Sequence, residues 1–179
     1  MNVCRVLSAI LLIGTYLVPL EAIAATDGLN ATTSTGTTVV TFTIPKLIIA
    51  TSFANIGMGT YTGTGDLNAN DDLNIATNYG TAARTYRVTV TGSGTSSAFT
   101  VTDGSQTIAY NAYYNKVTGT TGRSALTSGT ALTGQTGAVK PLITTTLNAN
   151  LSIEMLAANL QAISSGTYTG TITLVFTPE

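Results

Sequence analysis

The sequence predicts an all-β protein, an antiparallel β-sandwich or barrel. Three observations carry this. Apolar residues recur at every second position in several short runs, the period of a strand with one buried face. Glycine-rich polar stretches separate those runs at roughly even spacing, as turns between short strands do. No segment has a convincing helical period, and residues 157–163 hold at most one helical turn.

The elements follow in order. Arg5 and the apolar residues 6–20, ending in Ala22-Ile23-Ala24 before Ala25, read as a secretory signal segment, 1–24. The run is too short and too interrupted, by Gly14, Thr15 and Pro19, for a membrane anchor. About 155 residues remain, enough for one domain with a sizeable core. Residues 25–36 are polar and without period, a flexible lead-in.

Residues 38–44 alternate cleanly. Val40, Phe42 and Ile44 share one face, with Thr41 and Thr43 between them. Pro45 has no N–H for a ladder and ends the strand, and Pro45-Lys46 reads as a hinge. Residues 47–57 form a second apolar segment, predicted as a buried strand. Residues 57–72 read as turn-rich, and 73–77 as short and extended.

Residues 84–91 put Tyr86, Val88 and Val90 on one face. Phe99 and Val101 precede the turn signal Asp103-Gly104, and Ile108, Tyr110, Ala112 and Tyr114 then share a side. Residues 119–140 suggest short edge strands or loops. Leu151, Ile153 and Met155 share a face, and residues 167–177 form the best strand, with Tyr168, Ile172, Leu174 and Phe176 on one side together with Gly170.

Composition narrows the function. The formal net charge is −1, with 7 Lys and Arg against 8 Asp and Glu, and the basic residues are scattered; no stripe suits nucleic acid. A net charge near zero favours association. There is no histidine, and Cys4, the one cysteine, lies in the signal segment. That removes Ser-His and Cys-His dyads, thiolate or imidazole metal sites, and disulfides in the remaining chain. No cofactor and no enzyme activity are expected. Asp71 and Asp72 are adjacent, so on a strand they point to opposite faces, unlike a glycosidase pair. Residues 66–71 superficially match the start of a calcium loop, but Asp71 stands where a glycine is needed and Thr77 where the bidentate glutamate falls; the stretch reads as an Asx-rich turn.

Tyr110, Tyr113 and Tyr114, with Asn111 and Asn115, suggest a carbohydrate platform if Tyr113 is exposed, and a packing role otherwise. Asn30-Ala31-Thr32 and Asn150-Leu151-Ser152 match the glycosylation sequon, which is frequent by chance.

The order of these motifs resembles a known group. A signal segment is followed by an alternating strand, then an apolar strand ending near Ile56-Gly57, and Asn70-Asp71-Asp72-Leu73. Next come Tyr86-Arg87-Val88-Thr89-Val90-Thr91-Gly92 and a Tyr-Asn-x-Tyr element at 110–113. The last is Gly166-Thr167-Tyr168 leading into the final strand. This resembles the pilin subunits of the archaic chaperone–usher pathway, the spore coat protein U domain family, over nearly the whole chain after residue 24. Family members commonly carry a disulfide near the first domain strand; residues 47–51 hold no cysteine.

The resemblance implies an incomplete immunoglobulin-like antiparallel β-sandwich completed by donor-strand exchange, with a 25–46 extension carrying the donor strand and a 47–179 domain. A periplasmic chaperone lends a strand first. The extension of the next subunit then replaces it at an outer-membrane usher. Val40, Phe42 and Ile44 would be the donor plugs, and Tyr168, Ile172, Leu174 and Phe176 the acceptor groove. The final strand is expected to end two residues before the last, leaving its outer edge unpaired.

The partners implied are identical or related pilins, the chaperone and the usher. The location implied is the periplasm and then the cell surface, as a fimbria serving adhesion or biofilm formation. The length favours a shaft subunit over a two-domain tip adhesin. The alternatives are a monomeric secreted binding module with a self-completed sheet, and a small membrane barrel. The barrel needs strands of about 9–11 residues with aromatic girdles, which these short Thr-rich runs lack.

Overall fold

A computed structural model describes residues 30, 32–80, 84–140, 142 and 145–179. The expected signal segment and the start of the leader lie outside the described residues. The chain divides into two compact units, Met1–Ile44 and Pro45–Glu179. In the first, residues 38–44 form neither helix nor strand.

In the second unit, alternation becomes strands. They are β1 (Ile48–Thr51), β2 (Leu67–Thr77), β3 (Tyr86–Gly92), β4 (Thr100–Thr102), β5 (Thr107–Ala109), β6 (Asn111–Asn115), β7 (Ser124–Ala125), β8 (Ala131–Gln135), β9 (Ala149–Met155) and β10 (Ile172–Pro178), with one short helix, α1 (Ala157–Gln161), before β10. One sheet runs β1-β2-β9-β6-β7, a second β10-β3-β8, and β4-β5 form a hairpin. All the strand pairs are antiparallel.

The two main sheets face each other as an immunoglobulin-like β-sandwich. Tyr86, Val88 and Val90 of β3 pack with Leu73 and Ile75 of β2, Leu151 of β9 and Tyr114 of β6. A second cluster joins Ile108, Tyr110, Ala112, Ile153, Met155 and Leu160. Both sheets keep open edges, so this is a sandwich and not a closed barrel.

Three elements differ from the sequence expectation. The apolar run 47–57 yields only the four residues of β1; residues 52–61 pair with nothing as a strand. The polar stretch read as a turn forms the first half of β2, an eleven-residue strand. Its Asx residues hydrogen-bond distant backbone instead of their own: Asp66 caps Ala157 N–H at 2.7 Å, Asp71 accepts from Ala54 N–H at 2.7 Å, and Asp72 from Gly119 N–H at 2.8 Å. The third difference is at the C-terminal end. Residues 167–171 stay outside β10, and Thr169 forms an isolated bridge with Thr102 of β4. Gly170 is required there, because a Cβ would lie 2.6 Å from the Thr100 carbonyl oxygen.

One polar contact crosses the core. The Tyr86 and Tyr114 hydroxyls lie 2.8 Å apart, fully buried, with the Phe176 ring 6.1 Å from each. Burial, the largest cause, pushes both phenols well above their ordinary pKa, so both stay neutral. Tyr86→Phe should cost about 1–3 kcal/mol by orphaning the Tyr114 hydroxyl. The Tyr86→Phe, Tyr114→Phe double variant should cost less than the sum of the two singles. Urea denaturation of the four chains measures the cycle.

Candidate functional site: an open strand edge over an apolar groove

β10 lies at the end of its sheet, paired with β3 alone. In an antiparallel ladder one residue turns both main-chain groups to the partner and the next turns both away. Thr171 N–H donates to Ser93 Oγ at 2.9 Å and Glu179 N–H to Thr85 O at 2.9 Å, so the odd-numbered residues face the β3 side. The N–H and C=O groups of Ile172, Leu174 and Phe176 therefore face the open edge. Pro178 falls in the same set, so its missing N–H costs the ladder nothing.

Beneath this edge the sandwich is not closed. Across a gap from β10 run residues 53–61, which belong to neither sheet. Between them a groove of ≈ 520 Å³ is lined by Phe53, Ile56 and Met58 on one wall, Ile172 and Leu174 on the other, and Ile153 of β9 on the floor. It continues into a second hollow of ≈ 940 Å³ near Tyr61, Leu160, Ile163 and Tyr168. Phe53 is 51% exposed at the rim. The floor residues Leu151, Ile153 and Met155 are core residues of β9, so the groove opens directly onto the hydrophobic core.

The residues singled out from the sequence fall as follows. Ile172, Leu174 and Phe176 turn partly buried side chains into the sandwich. Tyr168 precedes β10, and its hydroxyl, with one proton to donate, lies 3.0 Å from both Gln106 Oε1 and Ser164 O, where it ties loops together. Val40, Phe42 and Ile44 are 85%, 78% and 67% exposed. At residues 45–47 the Asn78 side chain bonds both Pro45 O and Leu47 N–H. Sequence reading missed residues 53–58 as a groove wall. Their one signal was an apolar run longer than the strand it forms.

The tyrosine cluster does not form a platform. Tyr110 and Tyr114 are core. Tyr113 lies on the outer face of β6, where the Arg123 guanidinium stacks 3.9 Å over its ring and its hydroxyl donates to Glu154 at 2.6 Å. One aromatic face is thus already taken by Arg123, which also ion-pairs with Glu154 at 3.6 Å. Asn150, a sequon asparagine, is fully buried and bonded to Asn70 and Asp72, which leaves its amide no room for a glycan. Among the described residues, no three His, Cys, Asp or Glu side chains gather as a metal site.

Comparisons with known proteins bear on the fold. A chain from the solved structure of a chaperone–tip adhesin complex, described as vital for synergistic activation of CFA/I fimbriae biogenesis, is similar to this one with a TM-score of 0.51 and 16% identity. The similarity covers 74% of this chain and 42% of that one, so this chain spans less than half the length of its structural neighbour. No family model matches the sequence. No curated protein matches it either.

Two outcomes are expected. In the isolated chain, the amides of Ile172, Leu174 and Phe176 should exchange with deuterium faster than those of Thr173, Val175 and Thr177, as residue-resolved hydrogen exchange would read. Equal protection along β10 would mean that the edge is covered. The second concerns pH. The Tyr113 hydroxyl, then the Asn111 amide, hold the Glu154 carboxyl below its usual range. That stabilisation is fully present above the unfolded glutamate value, about 4.3, and is lost as pH falls through the lower folded value. The gap in melting temperature between wild type and Tyr113→Phe should therefore narrow as pH drops below about 4.

Proposed function

We propose that this chain is a structural subunit of a surface pilus, assembled by the chaperone–usher pathway through donor-strand complementation. The observation that carries this reading is the open edge of β10 above an apolar groove whose floor is the core itself. A soluble domain with that edge bare exposes both unpaired backbone and apolar surface, a strong tendency to add a strand. One inserted strand satisfies both needs, with its main chain pairing with Ile172, Leu174 and Phe176 and its alternate side chains filling the groove.

The occupant is residues 38–44 of a second copy or a related subunit. This segment has the period of a strand yet forms none, and its apolar residues are exposed. Val40, Phe42 and Ile44 would be the plugs. Each buried side chain contributes roughly 1.5–3 kcal/mol, so three give on the order of 5–9 kcal/mol before ordering costs. Thr41 and Thr43 on the other face tolerate water or a covering sheet. The remaining parts of the reading are a signal segment 1–24, an extension 25–46 and a domain 47–179. Its partners are a periplasmic chaperone that covers the groove first, an outer-membrane usher and neighbouring pilins. The fibre is displayed on the cell surface, where it serves adhesion or biofilm formation.

The fimbrial origin of the structural neighbour supports this reading through fold alone. The competing monomeric binding module loses its main support with Arg123 lying on Tyr113.

Phe42→Asp should reduce polymer formation by at least about 100-fold, because a charge enters an apolar pocket and a large contact is lost. Chaperone capture should be unchanged. Size-exclusion chromatography of chaperone-bound and released chain reads both. A chain lacking residues 25–46 that is a stable monomer, indifferent to an added peptide of residues 37–45, would sink the proposal.

A further inference from the structure

The groove has a direction that bears on which copy of the donor segment can fill it. Residues 53–58 face 170–174 across the groove, and 55–63 face the stretch before them, 163–170. The chain from β1 onward thus runs along the groove opposite in sense to β10. For residues 38–44 to enter the groove of their own molecule, the chain must reverse just ahead of Ile48. Ile44-Pro45-Lys46-Leu47 is well suited to such a reversal: proline is favoured at the second position of a β-turn. A turn over these four residues closes with a hydrogen bond from Leu47 N–H to Ile44 C=O.

That N–H is already taken. Leu47 N–H donates to Asn78 Oδ1 at 2.6 Å. The other half of the same amide, Asn78 Nδ2, donates to Pro45 O at 2.8 Å. Leu47 O accepts from Asn78 N–H at 3.2 Å and from Thr77 Oγ1 at 2.6 Å. Lys46 Nζ sits 3.7 Å over the Tyr79 ring. Asn78 therefore acts as one more rung beyond the β1–β2 ladder. Its side chain replaces a peptide group and holds residues 45–47 in line with β1.

We propose that Asn78 is a positioning residue that blocks self-complementation. By bonding both Leu47 N–H and Pro45 O, it holds residues 45–47 in line with β1 and competes with the turn that would fold residues 38–44 into their own groove, and so favours another molecule as the acceptor. This inference rests on the donor-strand reading above.

The test compares the exported full chain with Asn78→Ala, Asn78→Asp and a variant carrying a short Gly-Ser insertion between Ile44 and Pro45. Dilute monomer is followed by hydrogen exchange at Ile172 and Leu174, and polymer yield is measured in parallel. In wild-type monomer these amides exchange freely. Asn78→Ala should protect them about tenfold or more and lower polymer yield, with the protection abolished when Phe42→Asp is added. Asn78→Asp keeps the Oδ1 acceptor for Leu47 N–H but turns a second oxygen on Pro45 O in place of the donor, so it should fall between wild type and Asn78→Ala. The insertion leaves Asn78 intact and supplies slack for the reversal, so it should protect the amides even if Asn78→Ala fails to fold.

Polymers that depend on Phe42 but are indifferent to Asn78 overturn the clamp and leave donor exchange standing. The same holds if the insertion leaves the amides open. Absence of wild-type polymers, or normal polymers from Phe42→Asp, overturns the donor reading and the clamp with it.

Discussion

A strand at the end of a sheet needs partners for half of its main chain, and the apolar surface beside it needs a cover. In this domain the two needs coincide along β10. The groups left over belong to the same residues, Ile172, Leu174 and Phe176, whose side chains help close the core. Water can satisfy the N–H and C=O groups, but not while keeping Ile153 and Met155 dry on the groove floor. The neighbouring features follow from this constraint. Residues 53–58 join neither sheet and line the groove together with Ile172 and Leu174. Gly170 lets the chain pass within contact of Thr100 as it enters the edge.

The domain compensates for missing strand pairing and missing disulfides with asparagine and aspartate side chains. An asparagine carries one donor and one acceptor group in the geometry of a peptide, and can extend a ladder where main chain is lacking. Asn148 does this for Ile75, accepting from its N–H at 2.7 Å and donating to its carbonyl at 2.8 Å. Asn78 does it for Leu47 and Pro45. Asp66, Asp71 and Asp72 each hold a backbone N–H of a separate loop. These bonds link positions far apart in sequence, the task a disulfide performs in many small secreted domains.

Residues 38–44 are a strand-period segment with apolar side chains exposed, and the groove beside β10 is an apolar slot under an unpaired strand edge. A net charge of −1 leaves little repulsion between copies of the chain.

What the sequence determined by itself was whatever depends on neighbours along the chain. Period-two alternation located β3, β6, β9 and most of β10 and assigned their inner faces, because side chains on a strand alternate whatever it pairs with. The absence of histidine and of cysteine beyond Cys4 limited the available chemistry. What only the tertiary structure decided was pairing and coverage. Residues 67–72 carry turn-forming side chains, yet they are strand because β9 pairs with them and distant loops use the carboxylates of Asp71 and Asp72. Asn150 and Ser152 are buried on the face that alternation assigns to solvent, where Asn70, Asp72 and Arg123 close over them. Residues 52–58 are as apolar as a strand but have no partner to pair with. A side chain's pattern states which way it points; which edge is left open depends on where the other strands lie.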